Sequence, residues 1–352
     1  MKCKLSDIAE ITMGQSPKSQ YYNKNGDGML FLQGNKTFGF KYPTFDTYTT
    51  SITKTAKAGD VIMSVRAPVG ELNIAPNDFC LGRGVCSLRM KNGNQDFLYY
   101  MMKYYTRYLI NKESGTVFGS VNKKDISDLE IEIPSNPDEQ RKIARYLSML
   151  DDKIEINCKI NNNLLKIATS IFNKKFPNIS DGNKCIGDFI SPKRGKNLLS
   201  KNAIPGDVPV VAGGLEPATY HNVSNTVSPV ITISASGANA GYTNLWNIPV
   251  WSSDSSFIDA SMTDNVYFWF IHLKSRQKEI FDSQTGSAQP HIYPKHISVM
   301  PIREIEMEDV ENYTKIVTPL FDKIGINEKE NNKLSELRDS LLPKLINGEI
   351  LL

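Results

Sequence analysis

The sequence lacks long apolar runs and paired cysteines. No stretch of its 352 residues approaches the length of a membrane span, and the opening residues, Met1–Glu10, lack the apolar run of a signal peptide. The five cysteines form no C-x-x-C pair, and an odd number of them suits a reducing compartment. These absences predict a cytoplasmic protein with no membrane association.

The sequence also lacks a strong charge of one sign. Its formal net charge is only +3, so a globally basic coat for non-specific nucleic-acid binding is not indicated. The charge is unevenly distributed, because residues 1–124 contain 17 Lys and Arg against 9 Asp and Glu. The matching part of the second half is close to neutral. If both halves bind DNA, the first is expected to rely more on phosphate contacts.

Motifs for catalysis are missing as well. The chain has no G-x-x-x-x-G-K-[ST] loop and no G-x-S-x-G elbow. It also lacks the Asn/Asp-Pro-Pro-aromatic loop expected of a methyltransferase that acts on an exocyclic amine. His291 and His296 have no Cys, Asp or Glu at ligand spacing, so surface histidines are favoured over zinc ligands. The sequence therefore predicts neither a catalytic site nor a metal site.

What the sequence does contain is a long internal repeat. Asp152-Lys153-Ile154 recurs 170 residues later as Asp322-Lys323-Ile324, and Asn157 recurs as Asn327. A repeat with so long a period indicates a duplicated domain plus helix, not a solenoid of small units. We therefore expect two similar domains, at residues 1–135 and 179–306, each followed by a helical region, at residues 136–178 and 307–352.

Both helical regions carry a narrow apolar stripe with steps of three and four residues, typical of a helix seam. Matched stripes with matched Asn interruptions favour antiparallel pairing of the two helices as a coiled coil. The alternative is that each helix lies only on its own domain. The stripe consists of Ile143, Leu147, Leu150, Ile154, Leu164, Ile167 and Ile171 in the first copy and Leu320, Ile324, Leu334, Leu337 and Leu341 in the second.

Thr318-Pro319 is typical of a helix cap followed by proline at the first helical position. We therefore expect a short helix, a bend near residues 148–151 or 318, and then a long helix in each region. The carboxylates Asp151-Asp152 are interpreted as acids at such a helix start, where the helix dipole favours them.

The two domains share a frame but differ in their loops. Short strands with interspersed short helices, and no regular βαβ rhythm, predict an α+β fold with a curved, mainly antiparallel sheet. The loop Gln33–Gly39 has no clear counterpart in Ala212–Pro217, and Ser64–Gly70 differs from Ser234–Gly241. One scaffold with two sets of loop tips suits two different recognition tasks.

Polar side chains in these glycine-rich loops are candidates for contacts with nucleic acid. Arg and Lys suit guanine edges or phosphates, Asn suits adenine, and glycine lets the backbone approach a groove closely. The alternative for each residue is an ordinary solvated loop position. The candidates are Lys18, Lys36, Arg66 and Arg83 in the first domain and Lys193, Arg194, Lys196, His221 and Asn239 in the second.

Taken together, these features resemble the specificity subunits of type I restriction-modification systems. The resemblance is carried by LSDIAEITMGQSP from Leu5, AGDVIMSVRAPVGELNIA from Ala58, SGTVFGSVNKKDISDLEIEIP from Ser114 and DEQRKIARYLSMLDDKIEIN from Asp138. The last segment is the most specific. The second copy departs from it, since Val310-Glu311 replaces Glu139-Gln140.

The resemblance implies a non-catalytic subunit that reads double-stranded DNA. Each domain would read one half of an asymmetric, bipartite site. The paired helices would set the spacer, relate the domains by a pseudo-twofold axis like that of a duplex, and dock two modification (methyltransferase) subunits. Restriction subunits, which are ATP-dependent translocases and nucleases, would add cleavage. S-adenosylmethionine, ATP and magnesium would be bound by those partners, with no cofactor in this chain. A stand-alone DNA-modifying enzyme and a coiled-coil adaptor remain alternatives.

Overall fold

The structure, a computed structural model, describes residues 1–110, 119–286 and 289–350. Residues 114–118 of the SGTVFGS segment lie outside these ranges. The chain divides into two units: unit 1 is Met1–Ile156 with Asn331–Leu352, and unit 2 is Asn157–Glu330. Within the described ranges, no helix is both long and apolar enough to cross a membrane.

Unit 1 is built from short strands around two sheets. One antiparallel sheet has the strand order β2-β10-β7-β8, the other sheet has the order β3-β5-β4-β9-β6, and β1 pairs with β11. The strands are β1 Lys2–Lys4, β2 Ala9–Met13, β3 Tyr22–Asn23, β4 Met29–Leu32, β5 Tyr48–Thr49, β6 Thr55–Ala56, β7 Val61–Ser64, β8 Leu72–Ile74, β9 Phe79–Leu81, β10 Val85–Met90 and β11 Glu130–Glu132. The helices are α1 Leu5–Ile8, α2 Gln95–Ile110, α3 Lys123–Ser127 and the first half of α4 Pro137–Lys175.

Unit 2 follows the same plan. Its strands are β12 Lys184–Cys185, β13 Lys193–Arg194, β14 Val208–Val211, β15 Thr219–His221, β16 Val230–Ser234, β17 Thr243–Trp246, β18 Trp251–Ser252, β19 Ser255–Asp259 and β20 Pro301–Ile302. Its helices are α5 Val266–Ser275, α6 Gln277–Asp282, α7 Pro294–Ser298 and the first part of α8 Met307–Ile346, together with the second half of α4.

The repeat is visible in the sheet topology. The sheet β13-β19-β16-β17 has the order of β2-β10-β7-β8, and β12-β20 corresponds to β1-β11. In both units a central strand pairs antiparallel on one side and parallel on the other, β14 with β15 and β18, β4 with β5 and β9. The predicted α+β fold is confirmed, and the duplication extends to strand order.

The main apolar core of each unit joins a sheet to the helices, and each unit has a second, smaller apolar cluster. In unit 1, this core contains Phe97 and Met101 of α2, Val61 and Leu88 of the sheet, and Leu147 of α4. In unit 2, α5 occupies the same place and has buried side chains on all its faces, from Val266 to Leu273. Burial of this kind, at about 25 cal/mol per Å² of apolar surface, is what holds the long helices to the sheets.

The two long helices contact each other inside each unit, and we call the contact in unit 1 seam 1 and the contact in unit 2 seam 2. In seam 2, within unit 2, Asn327 donates to Asn161 at 2.7 Å and the Tyr313 hydroxyl donates to the Ala168 carbonyl at 3.1 Å. Positions on α8 fall as those on α4 rise, so the segments run antiparallel. In seam 1, within unit 1, Ile143, Leu147 and Asp151 of α4 meet Arg338 and residues 341–346 of α8.

Most of the predicted stripe lies in these seams. Ile143, Leu147, Ile154 and Ile324 are buried, and the half-buried members are Leu150, Leu164, Ile171, Leu320, Leu334 and Leu341. Two assignments to the stripe were wrong, because Ile167 is 48% exposed and Leu337 is 47% exposed. The two interpretations of the stripe both hold, since each helix packs on its own domain and also against the other helix.

The predicted helix start at Thr318-Pro319 is also wrong. Helix α8 runs without interruption from Met307 to Ile346, and α4 likewise spans residues 148–151. The Thr318 hydroxyl donates back to the Thr314 carbonyl at 2.7 Å, as a mid-helix threonine does, and caps nothing. Val317 and Phe321, on either side of the proline, are buried in one core, so tertiary packing overrides the lost backbone hydrogen bond.

A buried histidine links the stability of unit 2 to pH. His272 is fully buried among aromatic rings, and burial, assisted by the neighbouring Arg276, lowers its pKa from 6.5 to about 3. The folded protein therefore resists protonation that the unfolded chain accepts near pH 6.5. The resulting stability is fully present above pH 6.5 and is lost as the pH falls towards 3.

We expect His272→Met to remove this pH dependence. Methionine is the natural control, because Met102 is buried at the equivalent position of unit 1. Between pH 7 and pH 5 the wild-type protein should lose about 2 kcal/mol of unfolding free energy more than the variant, as one proton with this linkage requires. Urea unfolding at the two pH values measures the difference, and equal losses would contradict the assignment.

Candidate nucleic-acid interface

Four loops of unit 1 meet at one edge of its sheets. They follow β2, β4 and β7 and connect β9 to β10. Gln15 donates its N–H to the Leu81 carbonyl at 2.9 Å, Gly84 to Gln33 at 3.1 Å, and Val65 to Gly84 at 2.9 Å. These backbone bonds tie loops from distant parts of the sequence into one surface.

Glycine is required where these loops cross. A Cβ atom on Gly14 would collide with the Gly82 carbonyl, and one on Gly82 would lie 2.5 Å from the Gln33 Cα. Any side chain at these positions would therefore push the loops apart. Gly82-Arg83-Gly84 is thus a tight turn that presents Arg83 at the edge.

The four cationic candidates of unit 1 all lie on these loops. Lys18, Lys36, Arg66 and Arg83 are exposed. Some cations of the unit are paired, as Lys57 is with Asp78, but none of the four forms an ion pair with a residue that the structure describes. The edge of unit 1 therefore offers unneutralised positive charge, which suits an anionic ligand such as DNA.

Two glutamines beside Arg83 escaped the sequence-based selection. Gln15 and Gln33 are exposed and line a cavity of about 490 Å³ together with Ser16 and Arg83. The Ser16 hydroxyl accepts the backbone N–H of Arg83 at 3.0 Å. Gln can pair with two edge atoms of adenine and Arg with two of guanine, so this cluster has the chemistry for base contacts. Their positions next to glycine in the loops were the available signal.

Unit 2 repeats the frame of this edge with different side chains. Gly195 donates to the Ser255 carbonyl at 2.8 Å, just as Gly14 donates to Val85 at 3.0 Å. At the position of Gly84, however, stands Asp254, which forms an ion pair with Arg194 at 2.5 Å and accepts a hydrogen bond from Ser236. The edge of unit 2 is therefore partly neutralised.

The candidates of unit 2 are placed less uniformly. Lys193 and Lys196 are exposed, and Asn239 is half-buried in the loop after β16. His221 is only 6% exposed, and its Nδ1 accepts the Ile204 N–H at 3.0 Å. Because that nitrogen is already used and the ring is buried, the structure gives His221 a role in holding its loop in place of the predicted contact with DNA.

The interpretation of Asp151 as an acid at a helix start is wrong. Asp151 lies within the uninterrupted helix α4, its side chain is 1% exposed, and it is paired with Arg338.

Clusters of three or more His, Cys, Asp or Glu that could hold a metal ion are not found among the described residues.

A second apolar stripe lies on the outside of the helices. The stripe in unit 1 consists of Tyr146, Met149 and Ile156 of α4 and Leu337 of α8, which are 47–59% exposed. The equivalent positions of unit 2 hold Ile316, Pro319, Ile326 and Ile167, all exposed. We call these the outer stripes. The predicted seam residues are occupied inside the chain, whereas apolar surface of this kind is free to bind another protein.

Comparisons with known proteins agree with this architecture. Residues 1–166 match the family model of the type I restriction modification DNA specificity domain. The type I restriction enzyme MjaIX specificity subunit of Methanocaldococcus jannaschii is 26% identical over 99% of this chain and 92% of its own length. The MjaX specificity subunit of the same organism is 39% identical over 47% of this chain, a match that spans only 39% of that protein.

A solved structure shares the fold. The S subunit of a type I restriction-modification system from M. genitalium superimposes with a TM-score of 0.59 at 20% identity, over 98% of this chain and 96% of that one. Fold and site thus define a duplicated α+β protein with one loop-bearing sheet edge in each unit. Residues 1–166 match the DNA specificity domain of type I restriction-modification systems, and over nearly its whole length the chain is similar to specificity subunits of those systems.

Proposed function

We propose that this chain reads DNA for a type I restriction-modification complex, with each unit reading one half of a bipartite, asymmetric site. The observation that carries the proposal is the repeated sheet edge: the same backbone bonds hold loops with different side chains in the two units. Two different readers on one frame suit two different half-sites. The helical regions would set the spacing between the half-sites.

We further propose that the outer stripes dock two modification subunits, one on each unit. The equivalence of the stripes supports this stoichiometry, since equivalent surfaces bind equivalent partners. Restriction subunits would join the same complex in the cytoplasm. S-adenosylmethionine, ATP and magnesium would be bound by the partner subunits, and this chain would contribute DNA recognition and no catalysis.

A gel-shift assay with and without the modification subunit tests this division of labour. We expect sequence-specific binding of DNA by the assembled complex, and methyl transfer from S-adenosylmethionine only when the partner is present. Turnover by the isolated chain would favour a stand-alone modifying enzyme. Partner binding without any DNA binding would favour a coiled-coil adaptor.

Arg66→Ala is expected to weaken DNA binding and relax the preference at one position of one half-site. Arg66 is exposed just after β7, where it forms an isolated β-bridge with Ser120, and is not ion-paired with a described residue. Loss of a base-edge contact should cost about 1–3 kcal/mol. If Arg66 contacts only phosphate, affinity should fall for all sequences alike and the salt slope should shrink by about one unit.

Lys57→Ala is the matched control. Lys57 precedes β7, at the end opposite Arg66, and is exposed and paired with Asp78. Its loss should leave both affinity and preference unchanged. Binding measured at several salt concentrations, on target sites with each base replaced in turn, separates the outcomes. A change in both half-sites on Arg66→Ala would contradict the assignment of separate readers.

A further inference from the structure

Asp151 lies at the centre of seam 1. Its side chain is 1% exposed, and its Oδ1 lies 2.6 Å from Nη1 of Arg338 on the opposing helix segment. The Tyr100 hydroxyl donates to Oδ2 at 2.8 Å, and Lys103 Nζ lies 3.7 Å from the same oxygen. A carboxylate buried this deeply is tolerated only when such groups satisfy it.

The four equivalent positions of unit 2, each 170 residues away along the repeat, are apolar and buried. In place of Asp151, Arg338, Tyr100 and Lys103 they hold Phe321, Ala168, Phe270 and Leu273. Phe321 stacks on Tyr267 with ring centroids 4.3 Å apart and meets Phe270 edge-on at 6.0 Å. One seam therefore has an ionic centre and the other has an aromatic centre.

The segments that dock on these centres differ in size as well as charge. In seam 2, Phe172 of α4 is buried with its ring 5.4 Å from Phe268 and 5.6 Å from Tyr313. The equivalent residue of α8 in seam 1 is Leu342, which is also buried. An aromatic ring fits the first site and an aliphatic side chain the second, so the two docking segments are not interchangeable in shape.

We propose that the two seams are mutually exclusive, so that each accepts only its own helix segment and rejects the equivalent segment of the repeat. If the segment with Ala168 docked on unit 1, Asp151 would be buried without its guanidinium partner. If the segment with Arg338 docked on unit 2, that guanidinium would be buried against Phe321. Either mismatch removes the Asp151–Arg338 pair, so that Asp151 would retain only Lys103 as a charged partner, 3.7 Å away, and Arg338 only Asp339, 2.8 Å away on its own helix segment.

This mismatch prevents one half of the chain from pairing with the same half of a second copy. Two repeats with matched apolar stripes would otherwise pair with themselves as readily as with each other. Arg338 and Asp151 are thus specificity-determining residues for assembly of the subunit. They keep unlike halves together, and with them two different readers.

Full-length variants can reproduce matched and mismatched seams within unit 1. Arg338→Ala places opposite Asp151 the residue type that unit 2 has at Ala168. Asp151→Phe places opposite Arg338 the residue type that unit 2 has at Phe321. Each single variant is mismatched. The double variant restores a match of the unit 2 type, and adding Tyr100→Phe and Lys103→Leu completes it.

Hydrogen exchange of the amides in residues 338–346 reports how firmly the segment is docked. We expect each single variant to lose protection by about 100-fold, the order expected when one member of a buried ion pair is removed. The double variant should regain part of it, and the complete set should return to within about tenfold of the wild type, since the mismatches are coupled. Single variants that fail to fold beside a complete set that folds would give the same answer.

Arg141→Ala is the control, because Arg141 is exposed on α4 and pairs at the surface with Asp138. It should leave the protection of residues 338–346 unchanged. If Arg338 only covers the seam with its aliphatic stem, Arg338→Ala would cost the same protection with and without Asp151→Phe. That result, or a complete set no better protected than Arg338→Ala alone, would overturn the proposal.

Discussion

Replacing residues 1–134 by the equivalent segment of a related specificity subunit is expected to change one half of the DNA target and leave the other half and the spacer as they were. All four loops at the edge of unit 1 lie within this segment, whereas both long helices lie outside it. Each mismatched base pair costs about 1–3 kcal/mol, so several mismatches in a half-site would abolish recognition of the original sequence. Mapping of methylated sites in cells that also contain the modification subunit measures the outcome.

The reciprocal exchange, of residues 184–302, is the matched control and should change only the other half-site. The donor of residues 1–134 should carry Tyr and Lys at the positions of Tyr100 and Lys103. These two residues contact Asp151, which lies outside the exchanged segment and is retained. A change in both half-sites, or in the spacer, would refute the assignment of one reader to each unit.

If the outer stripes dock the two modification subunits as proposed, Tyr146→Glu with Ile156→Glu removes one of the two from the complex. Both residues are about half exposed on the outer stripe of unit 1. Burying an apolar side chain of this size contributes about 1.5–3 kcal/mol, so loss of two should weaken docking by more than about 100-fold, and introduced charges add to the effect. The complex should then contain one copy of the partner, as sedimentation equilibrium or native mass spectrometry would show.

The repeat supplies the companion variant. Ile316→Glu with Ile326→Glu, at the equivalent positions of unit 2, should remove the other copy, and all four substitutions together should leave none. Lys166→Glu is the control, since Lys166 is exposed on α4 but outside the stripe. Two copies still bound after the fourfold substitution would show that the partner docks elsewhere.

Sequence patterns were sufficient for the elements whose signal is local. Apolar periodicity and turn residues indicate a helix over Phe97–Ile110 and strands over Asp60–Val65 and Gly84–Met90, and the structure has α2, β7 and β10 there. The apolar pattern of Leu5–Ile11 is typical of a short helix, but only Leu5–Ile8 is helical and Ala9–Met13 is a strand. Residues 9–13 form a strand because they pair with β10, and local sequence patterns do not reveal a pairing partner so far away along the chain.

The candidate site shows the same division. The glycine-rich loops could be selected from composition, and their cations proved to be exposed in unit 1. Arg194 and His221 could not be distinguished from the others in that way. Asp254, which neutralises Arg194, lies 60 residues away along the chain, and His221 is covered by a loop that only folding brings to it.

The duplication of a domain and a long helix with an apolar stripe can be recognised without a structure, because a repeat and a helical period are properties of residue order alone. Which stripe residues are buried in the seams depends on the packing of the folded chain. That packing brought Arg338 to Asp151 across 187 residues while leaving Ile167 and Leu337 exposed. It also carried α8 through Pro319, since burial on both sides of the proline outweighs one lost hydrogen bond. Whether a buried charge stabilises or destabilises the fold depends on its ion-pair partner. Local sequence patterns do not identify that partner, because only folding brings it into contact.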